Sequence, residues 1–169
     1  MTRKRLPKVA LIYDFDGTLS PGNMQEFGYM KAIGDDKDAF WAANNKLSTT
    51  NDASGILCYM LLMIRKARAK GITLSRDAFR KYGADVKLYE GVMDWFGLIS
   101  SYGLSIGLDV RHFINSSGLK EMIEGTPIAD RFDAIYASSY LYDEAKGCPI
   151  WPAVAVDYTT KTQFIFKIN

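Results

Sequence analysis

An apolar run that ends in two closely spaced aspartates constrains this chain more than any other feature. Val9 to Tyr13 is continuously apolar, which is typical of a strand buried on both faces of a parallel sheet. Asp14 and Asp16 follow at once, and Gly17 lets the chain turn behind them. Ligands of open α/β sheets collect outside the carboxyl ends of the strands. The sequence therefore predicts that both carboxylates lie at the ligand-binding edge of such a sheet.

The chain between this strand and the next predicted strand is mostly helical. Asn51-Asp52 is expected to start a helix that continues through the apolar run from Ile56 to Ile64. A shorter helix is expected from Ser75 to Gly83, and a third from Gly91 to Tyr102, closed by Gly103. Together these helices predict one inserted block between the first and second strands.

Strand and helix patterns alternate again after residue 104. We predict strands over 109–115 and 132–138, extended edge-like pieces over 149–158, and a helix over 161–168 capped by Thr159 and Thr160. The predicted fold class is α/β, a Rossmann-like and mostly parallel sheet with an inserted α-helical cap. The core would comprise residues 1–20 and 104–169, and the cap residues 21–103.

Composition narrows the class of partner and the compartment. With 21 basic and 19 acidic residues the net charge is +2, which excludes a strong electrostatic case for binding nucleic acid or an acidic membrane. No apolar run approaches the roughly 20 residues that cross a bilayer. The two cysteines exclude a disulfide scaffold and favour a reducing compartment. We therefore expect a cytoplasmic protein that binds neither nucleic acid nor membrane.

The paired aspartates indicate phosphate chemistry. Carboxylate oxygens are hard ligands of the kind that Mg²⁺ prefers, so Asp14 and Asp16 are the candidate metal ligands. A carboxylate can also attack phosphorus and form an aspartyl phosphate, with a cation offsetting the repulsion between the two anions. Thr18 adds a hydroxyl beside the turn, and Asn23 and Glu26 follow closely enough to contact a substrate. The expected partner is a small phosphorylated molecule.

The segment Asp14 to Leu19, Asp-Phe-Asp-Gly-Thr-Leu, resembles the DxDGT(L/V) signature of the haloacid dehalogenase superfamily. A helical cap after this first motif is similar to the layout of the phosphoserine-phosphatase-like subgroup. The resemblance implies that Asp14 is a nucleophile and that Asp16 is a general acid and base. It therefore implies a Mg²⁺-dependent phosphatase that hydrolyses a small-molecule phosphate monoester through an aspartyl-phosphate intermediate.

The same resemblance implies phosphate-binding residues farther along the chain. Ser116 matches the Ser or Thr that the superfamily uses after the next strand of the sheet. Free backbone N–H groups behind it, at Ser117 and Gly118, would complete a phosphate cradle. Lys161 matches the superfamily's Lys near the start of a later helix, and Lys167 is the alternative.

The chain departs from the superfamily pattern after Lys161. No aspartate or glutamate follows that residue, so the fourth, acidic motif, which normally completes the Mg²⁺ site, has no counterpart. We expect a C-terminally truncated chain with weak Mg²⁺ binding, slow or no turnover and an exposed sheet edge. The alternative is a non-catalytic or catalytically incomplete binding module with the same fold, and the oligomeric state is left open.

Overall fold

A four-stranded sheet organises the chain, which a computed structural model describes over residues 5–169. The strands are β1 (Lys8–Tyr13), β2 (Asp109–Leu119), β3 (Ala134–Tyr142) and β4 (Pro149–Val154), and they lie side by side in that order. The first three run parallel, and β4 joins β3 antiparallel. Residues 1–4 of the predicted core segment lie outside the described residues.

The register of β1 against β2 sets the position of the acidic turn. Lys8 pairs with Asp109 and Tyr13 with Ile114, so both strands point their carboxyl ends in the same direction. Asp14 therefore follows β1 at the edge of the sheet where β2 reaches its polar residues. Among the described strands β1 has one neighbour, β2, and forms one edge of the sheet.

Five helices lie between β1 and β2, and two follow β2. They are α1 (Gly28–Ile33), α2 (Lys37–Asn51), α3 (Gly55–Ala69), α4 (Arg76–Ala84), α5 (Val92–Ser105), α6 (Lys120–Ile123) and α7 (Lys161–Ile168). The α/β class, the mostly parallel sheet and the inserted helices are as predicted. The division into a core (1–20 and 104–169) and a cap (21–103) stays our assignment.

The boundary between α2 and α3 differs from the prediction. Asn51 is the last residue of α2, and Asp52 closes that helix in the left-handed conformation with a φ of 48°. The N–H of Ala53 donates to the carbonyl of Ser48 at 2.9 Å, and α3 begins only after Ser54. Asn and Asp favour both helix starts and left-handed helix ends. The pair Asn51-Asp52 therefore indicates a helix boundary but not whether a helix starts or ends there.

Gly103 does not end α5 as predicted, since the helix continues to Ser105. A Cβ at Gly103 would lie 2.4 Å from Cγ2 of Val110 on β2. The glycine thus permits close packing of helix on sheet, and Gly107, with a φ of 80°, provides the left-handed turn that follows the helix.

Glycine also lets α4 approach α6 closely. A Cβ at Gly83 would lie 1.9 Å from the carbonyl oxygen of Met122, and a Cβ at Gly125 would lie 1.9 Å from that of Arg80. Because no side chain fits at either position, the inserted helices are packed directly against the segment that follows β2. No helix in residues 5–169 combines the length and the apolar character needed to cross a membrane.

Candidate active site

An ion pair joins the two ends of the described chain at the carboxyl edge of the sheet. Nζ of Lys161 lies 2.5 Å from Oδ2 of Asp14, although the residues are 147 positions apart. The N–H of Phe15 donates to the other oxygen, Oδ1, at 2.8 Å. Both side chains keep some solvent exposure, 25% for Lys161 and 42% for Asp14. The carboxylate is therefore held in one orientation and remains accessible.

Two residues position Lys161 at the first turn of α7. Oδ1 of Asp157 accepts hydrogen bonds from the backbone N–H groups of Thr159 and Thr160, both within 2.9 Å. Thr160 occupies the N-cap position of α7, as predicted, but its side chain makes no capping hydrogen bond. The Asp157 carboxylate instead holds the turn that leads into the helix. Nδ2 of Asn115, within β2, donates to the carbonyl of Lys161 at 2.8 Å.

The alternative lysine lies elsewhere. Nζ of Lys167 lies over the ring of Phe164, 5.9 Å from its centre. Of the two lysines left open by the sequence, only Lys161 contacts Asp14.

Asp16 differs from Asp14 in its surroundings. Its Oδ1 accepts a hydrogen bond from the N–H of Met24 at 2.9 Å, and its Oδ2 lies against Gly118, where a Cβ would approach to 3.0 Å. Burial raises the pKa of Asp16 to about 7, and the charges of Asp14 and Glu26 add to this rise. The Met24 hydrogen bond and, more weakly, Lys161 oppose it. The pair thus combines one lysine-bound carboxylate with one that holds a proton near neutral pH.

A cavity of about 220 Å³ opens beside Asp16. Asn23, Ser117 and Gly118 are among its lining residues. Oε1 of Glu26 accepts from Nδ2 of Asn23 at 2.7 Å, which places this carboxylate directly behind the wall. Four of the predicted substrate contacts therefore gather around one cavity. Thr18 is exposed in the preceding turn and does not line it.

Ser116 lies behind this wall rather than on its surface. Its side chain is fully buried, and its Oγ accepts the N–H of Gly118 at 3.0 Å. The next N–H, that of Leu119, donates to the sulfur of Met24 at 3.2 Å. The expectation of free backbone N–H groups at Ser117 and Gly118 is therefore wrong for Gly118, whose N–H already has a partner within the protein.

The last residues of β2, after Ser116, are also held by a contact that the sequence did not indicate. The hydroxyl of Tyr59, on α3, donates to the carbonyl of Ser117 at 2.8 Å. Oγ of Ser138, on β3, donates to the same oxygen at 3.1 Å. An aromatic residue inside an apolar helix is typical of a core position, so no local pattern identifies this role for Tyr59.

The oxygen atoms available for a metal come from the two aspartates. Across residues 5–169 no three His, Cys, Asp or Glu side chains are grouped so as to hold an ion. Oδ2 of Asp16 faces Gly118, and Asp14 lies two residues away. Mg²⁺ is commonly bound through one or two carboxylates while keeping waters and substrate phosphate as its other ligands. The two carboxylates fit an ion bound in that manner.

Comparison with solved structures identifies the fold. A HAD (haloacid dehalogenase) family hydrolase from Salmonella enterica serovar Typhi aligns with 98% of this chain at a TM-score of 0.66 and 12% identity. A phosphoserine phosphatase with an analogue of its phospho-aspartyl intermediate aligns with 96% of the chain at a TM-score of 0.58 and 15% identity. This chain has the haloacid dehalogenase fold. The Salmonella structure is longer, and the HAD-fold region described here covers 53% of it, against 71% of the phosphatase.

Sequence comparison adds one relative without a described activity. An uncharacterised protein of Borreliella burgdorferi is 30% identical over an alignment of 186 positions, which covers 95% of this chain and 64% of that protein. No protein-family model matches the chain. The HAD-fold chain thus spans roughly half to two thirds of the length of several proteins that it resembles.

Proposed function

We propose that this protein is a phosphomonoesterase whose nucleophile is Asp14. The observation that carries the proposal is the contact between Asp14 and Lys161 at the carboxyl edge of a parallel sheet, next to an aspartate with a raised pKa. A nucleophile attacking a phosphate must be oriented, and the phosphate's negative charge must be offset. Lys161 and the N–H of Phe15 orient the carboxylate, and Lys161 supplies the positive charge.

The first step is attack by a carboxylate oxygen of Asp14 on phosphorus. The new Asp14–phosphorus bond forms as the bond to the ester oxygen breaks, and Asp16 transfers its proton to the departing alkoxide, releasing an alcohol. In the second step Asp16 takes a proton from water, which attacks the same phosphorus. Inorganic phosphate leaves, and Asp14 is regenerated as a carboxylate.

The surroundings of Asp16 suit both of its duties. A general acid and base works best when its pKa lies close to the working pH. Burial brings the pKa of this carboxyl to about 7, against an ordinary value of 3.8. The group is therefore partly protonated at neutral pH in the free protein, ready to protonate the leaving oxygen.

We assign Mg²⁺ as the cofactor, which would be held by a carboxylate oxygen of Asp14 and by an oxygen of Asp16 other than the one that carries the proton. When bound, the ion would neutralise charge on the phosphate and lower the repulsion between it and the attacking carboxylate. The haloacid dehalogenase fold and the phospho-aspartyl analogue bound by one structural neighbour support this chemistry.

The remaining assignments concern substrate contacts. Ser116 would contribute by exchanging its hydrogen bond to Gly118 for one to a phosphate oxygen, which would leave the Gly118 N–H free for the phosphate. Ser117 and Asn23 line the cavity, and Glu26 adjoins it. Thr18, in the exposed turn, would act at the entrance.

Removal of the nucleophile tests the proposal. Asp14→Asn should lower the Mg²⁺-dependent hydrolysis of p-nitrophenyl phosphate by about a thousandfold or more while leaving the circular dichroism spectrum unchanged. Asp130→Asn, at a side chain 77% exposed, is the matched control and should keep the full rate. Beryllofluoride should give a protein-bound ¹⁹F resonance in the wild type and none in Asp14→Asn. Wild-type turnover by Asp14→Asn would overturn covalent catalysis at this position.

A further inference from the structure

Two buried amides in the cavity beside Asp16 have unsatisfied hydrogen-bonding capacity. Gln25 is 1% exposed and Asn44 is 6% exposed, and both line the cavity. Oε1 of Gln25 and Oδ1 of Asn44 have no hydrogen-bond partner anywhere in the described part of the chain. A buried polar atom without a partner costs free energy, so such atoms mark places where a partner arrives from outside.

The position of the cavity identifies which part of a substrate it would receive. Asp16 forms part of its wall, together with Ser117 and Gly118 from the irregular last residues of β2. A general acid must lie within hydrogen-bond reach of the leaving oxygen. The alcohol portion of a phosphate ester would therefore extend from Asp16 into the space between Gln25 and Asn44.

The charges around the cavity restrict that alcohol further. Among its lining residues, all of which are described, there is no lysine, arginine or histidine. Besides Asp16 in the wall, Glu26 adjoins the cavity: its Oε1 accepts from both Asn23 and the indole N–H of Trp41, at 2.7 and 2.8 Å. A second anionic group on the substrate would lie next to carboxylates, without a cation to pair with it.

The size and the apolar walls complete the description. The volume of about 220 Å³ is below the range of pockets that hold drug-sized ligands. Ile56 and the rings of Trp41 and Tyr59 enclose it, and Gly55 leaves room at the start of α3. The space fits a chain of a few carbons whose hydroxyl groups reach the two amides.

We infer that the substrate is the phosphate ester of a small polyol, with uncharged hydroxyl groups that bind Gln25 and Asn44 and no carboxylate. This inference rests on the proposed function, because it identifies the leaving alcohol of that reaction. Hydroxyl groups both donate and accept, so they satisfy an amide whichever way it is turned.

Matched pairs of esters test the charge requirement. Glycerol 3-phosphate and 3-phosphoglycerate differ mainly in a hydroxymethyl group against a carboxylate. The kcat/KM for glycerol 3-phosphate should exceed that for 3-phosphoglycerate by about tenfold or more, because the second anion has no cationic partner. Equal values, or a preference for the carboxylate, would overturn the inference.

Substitution of the amides tests the hydroxyl requirement. Gln25→Met and Asn44→Leu should each raise KM for glycerol 3-phosphate about tenfold, with little change for propyl phosphate, which has no hydroxyl groups to bind. Asn45→Leu changes the exposed neighbour on the same helix and should alter neither substrate. Equal losses for both esters would show that the amides do not bind hydroxyl groups.

Binding to Asp14→Asn separates this inference from the proposed function. Calorimetry should give tighter binding of glycerol 3-phosphate than of propyl phosphate or 3-phosphoglycerate. If that order holds but the wild type hydrolyses no ester, the proposed function fails and the polyol site stands. If the wild type hydrolyses esters but the order is absent, the polyol site fails alone. If no ester binds, both fail.

Discussion

The buried proton on Asp16 should make this protein less stable as the pH rises. The folded state raises the pKa of the carboxyl from 3.8 to about 7, chiefly through burial. Between these two pH values the folded chain holds a proton that the unfolded chain has released. Asp16 therefore does not lower the free energy of unfolding below pH 3.8. It lowers that free energy increasingly as the pH rises towards 7, where the buried group must ionise.

The size of the effect follows from the shift. Three pKa units at 1.36 kcal/mol each give roughly 4 kcal/mol as an upper value. Asp16 keeps partial contact with solvent through the cavity, which reduces the cost of its charge. Asp16→Asn removes that charge, and its amide oxygen can still accept the N–H of Met24. The variant should be more stable than the wild type by about 2–4 kcal/mol at pH 8 and equally stable at pH 3.5.

Urea unfolding at several pH values, in EDTA so that no metal binds, measures this difference. Asp130→Asn is the control, since it also removes one carboxylate but from a side chain 77% exposed. It should follow the wild type at every pH. Wild-type and Asp16→Asn curves that stay equally far apart from pH 3.5 to 8 would refute the reasoning, and with it the view that Asp16 carries a proton near neutral pH.

Two further predictions concern packing and the cap of α7. Gly83→Ala should destabilise the fold by about 1–3 kcal/mol in urea unfolding, because its Cβ would meet the Met122 carbonyl; Gly97→Ala, with nothing within 4 Å, should stabilise it by about 0.5–1 kcal/mol. Asp157→Ala should lower phosphatase kcat/KM about tenfold by loosening the turn that holds Lys161. It should also remove the stabilisation that the hydrogen bonds to Asp157 provide. Hydrogen bonding lowers the pKa of Asp157 to about 2, so the wild type has this stabilisation in full above pH 3.8 and loses it as the pH falls to about 2.

The parts of the fold that could be predicted are those in which a short sequence pattern is typical of one kind of structure. The apolar run before Asp14 forms strand β1, but its residues are exposed or half-buried, so the prediction that it is buried on both faces was wrong. The helix predicted over residues 161–168 has those bounds in the structure. Ser75 caps α4 as its position indicates, accepting the N–H of Ala78 at 3.1 Å. At the start of α4 a side chain three residues away satisfies the backbone, so the local pattern is sufficient there.

Ambiguous residues account for the errors. Asp52 ends a helix where the pattern predicts a start, and Gly103 permits close packing where the pattern predicts a stop. Thr160 is the N-cap residue of α7, but Asp157 supplies the side-chain hydrogen bonds, because its carboxylate accepts two N–H groups at once. All three outcomes depend on neighbours that the local sequence does not reveal.

The contrast between Lys161 and the cavity amides explains how far the site could be predicted. A lysine at the first turn of a helix opposes the helix dipole, and this local conflict is a signal that something else stabilises the charge. The structure identifies that partner as the Asp14 carboxylate. Neither Gln25 nor Asn44 violates a local sequence rule. Their amide oxygens lack a hydrogen-bond partner only because α2 and the turn after β1 bury them around the cavity beside Asp16. A residue that violates a local rule can be found in the sequence, whereas one whose partner is lost through tertiary packing requires the structure.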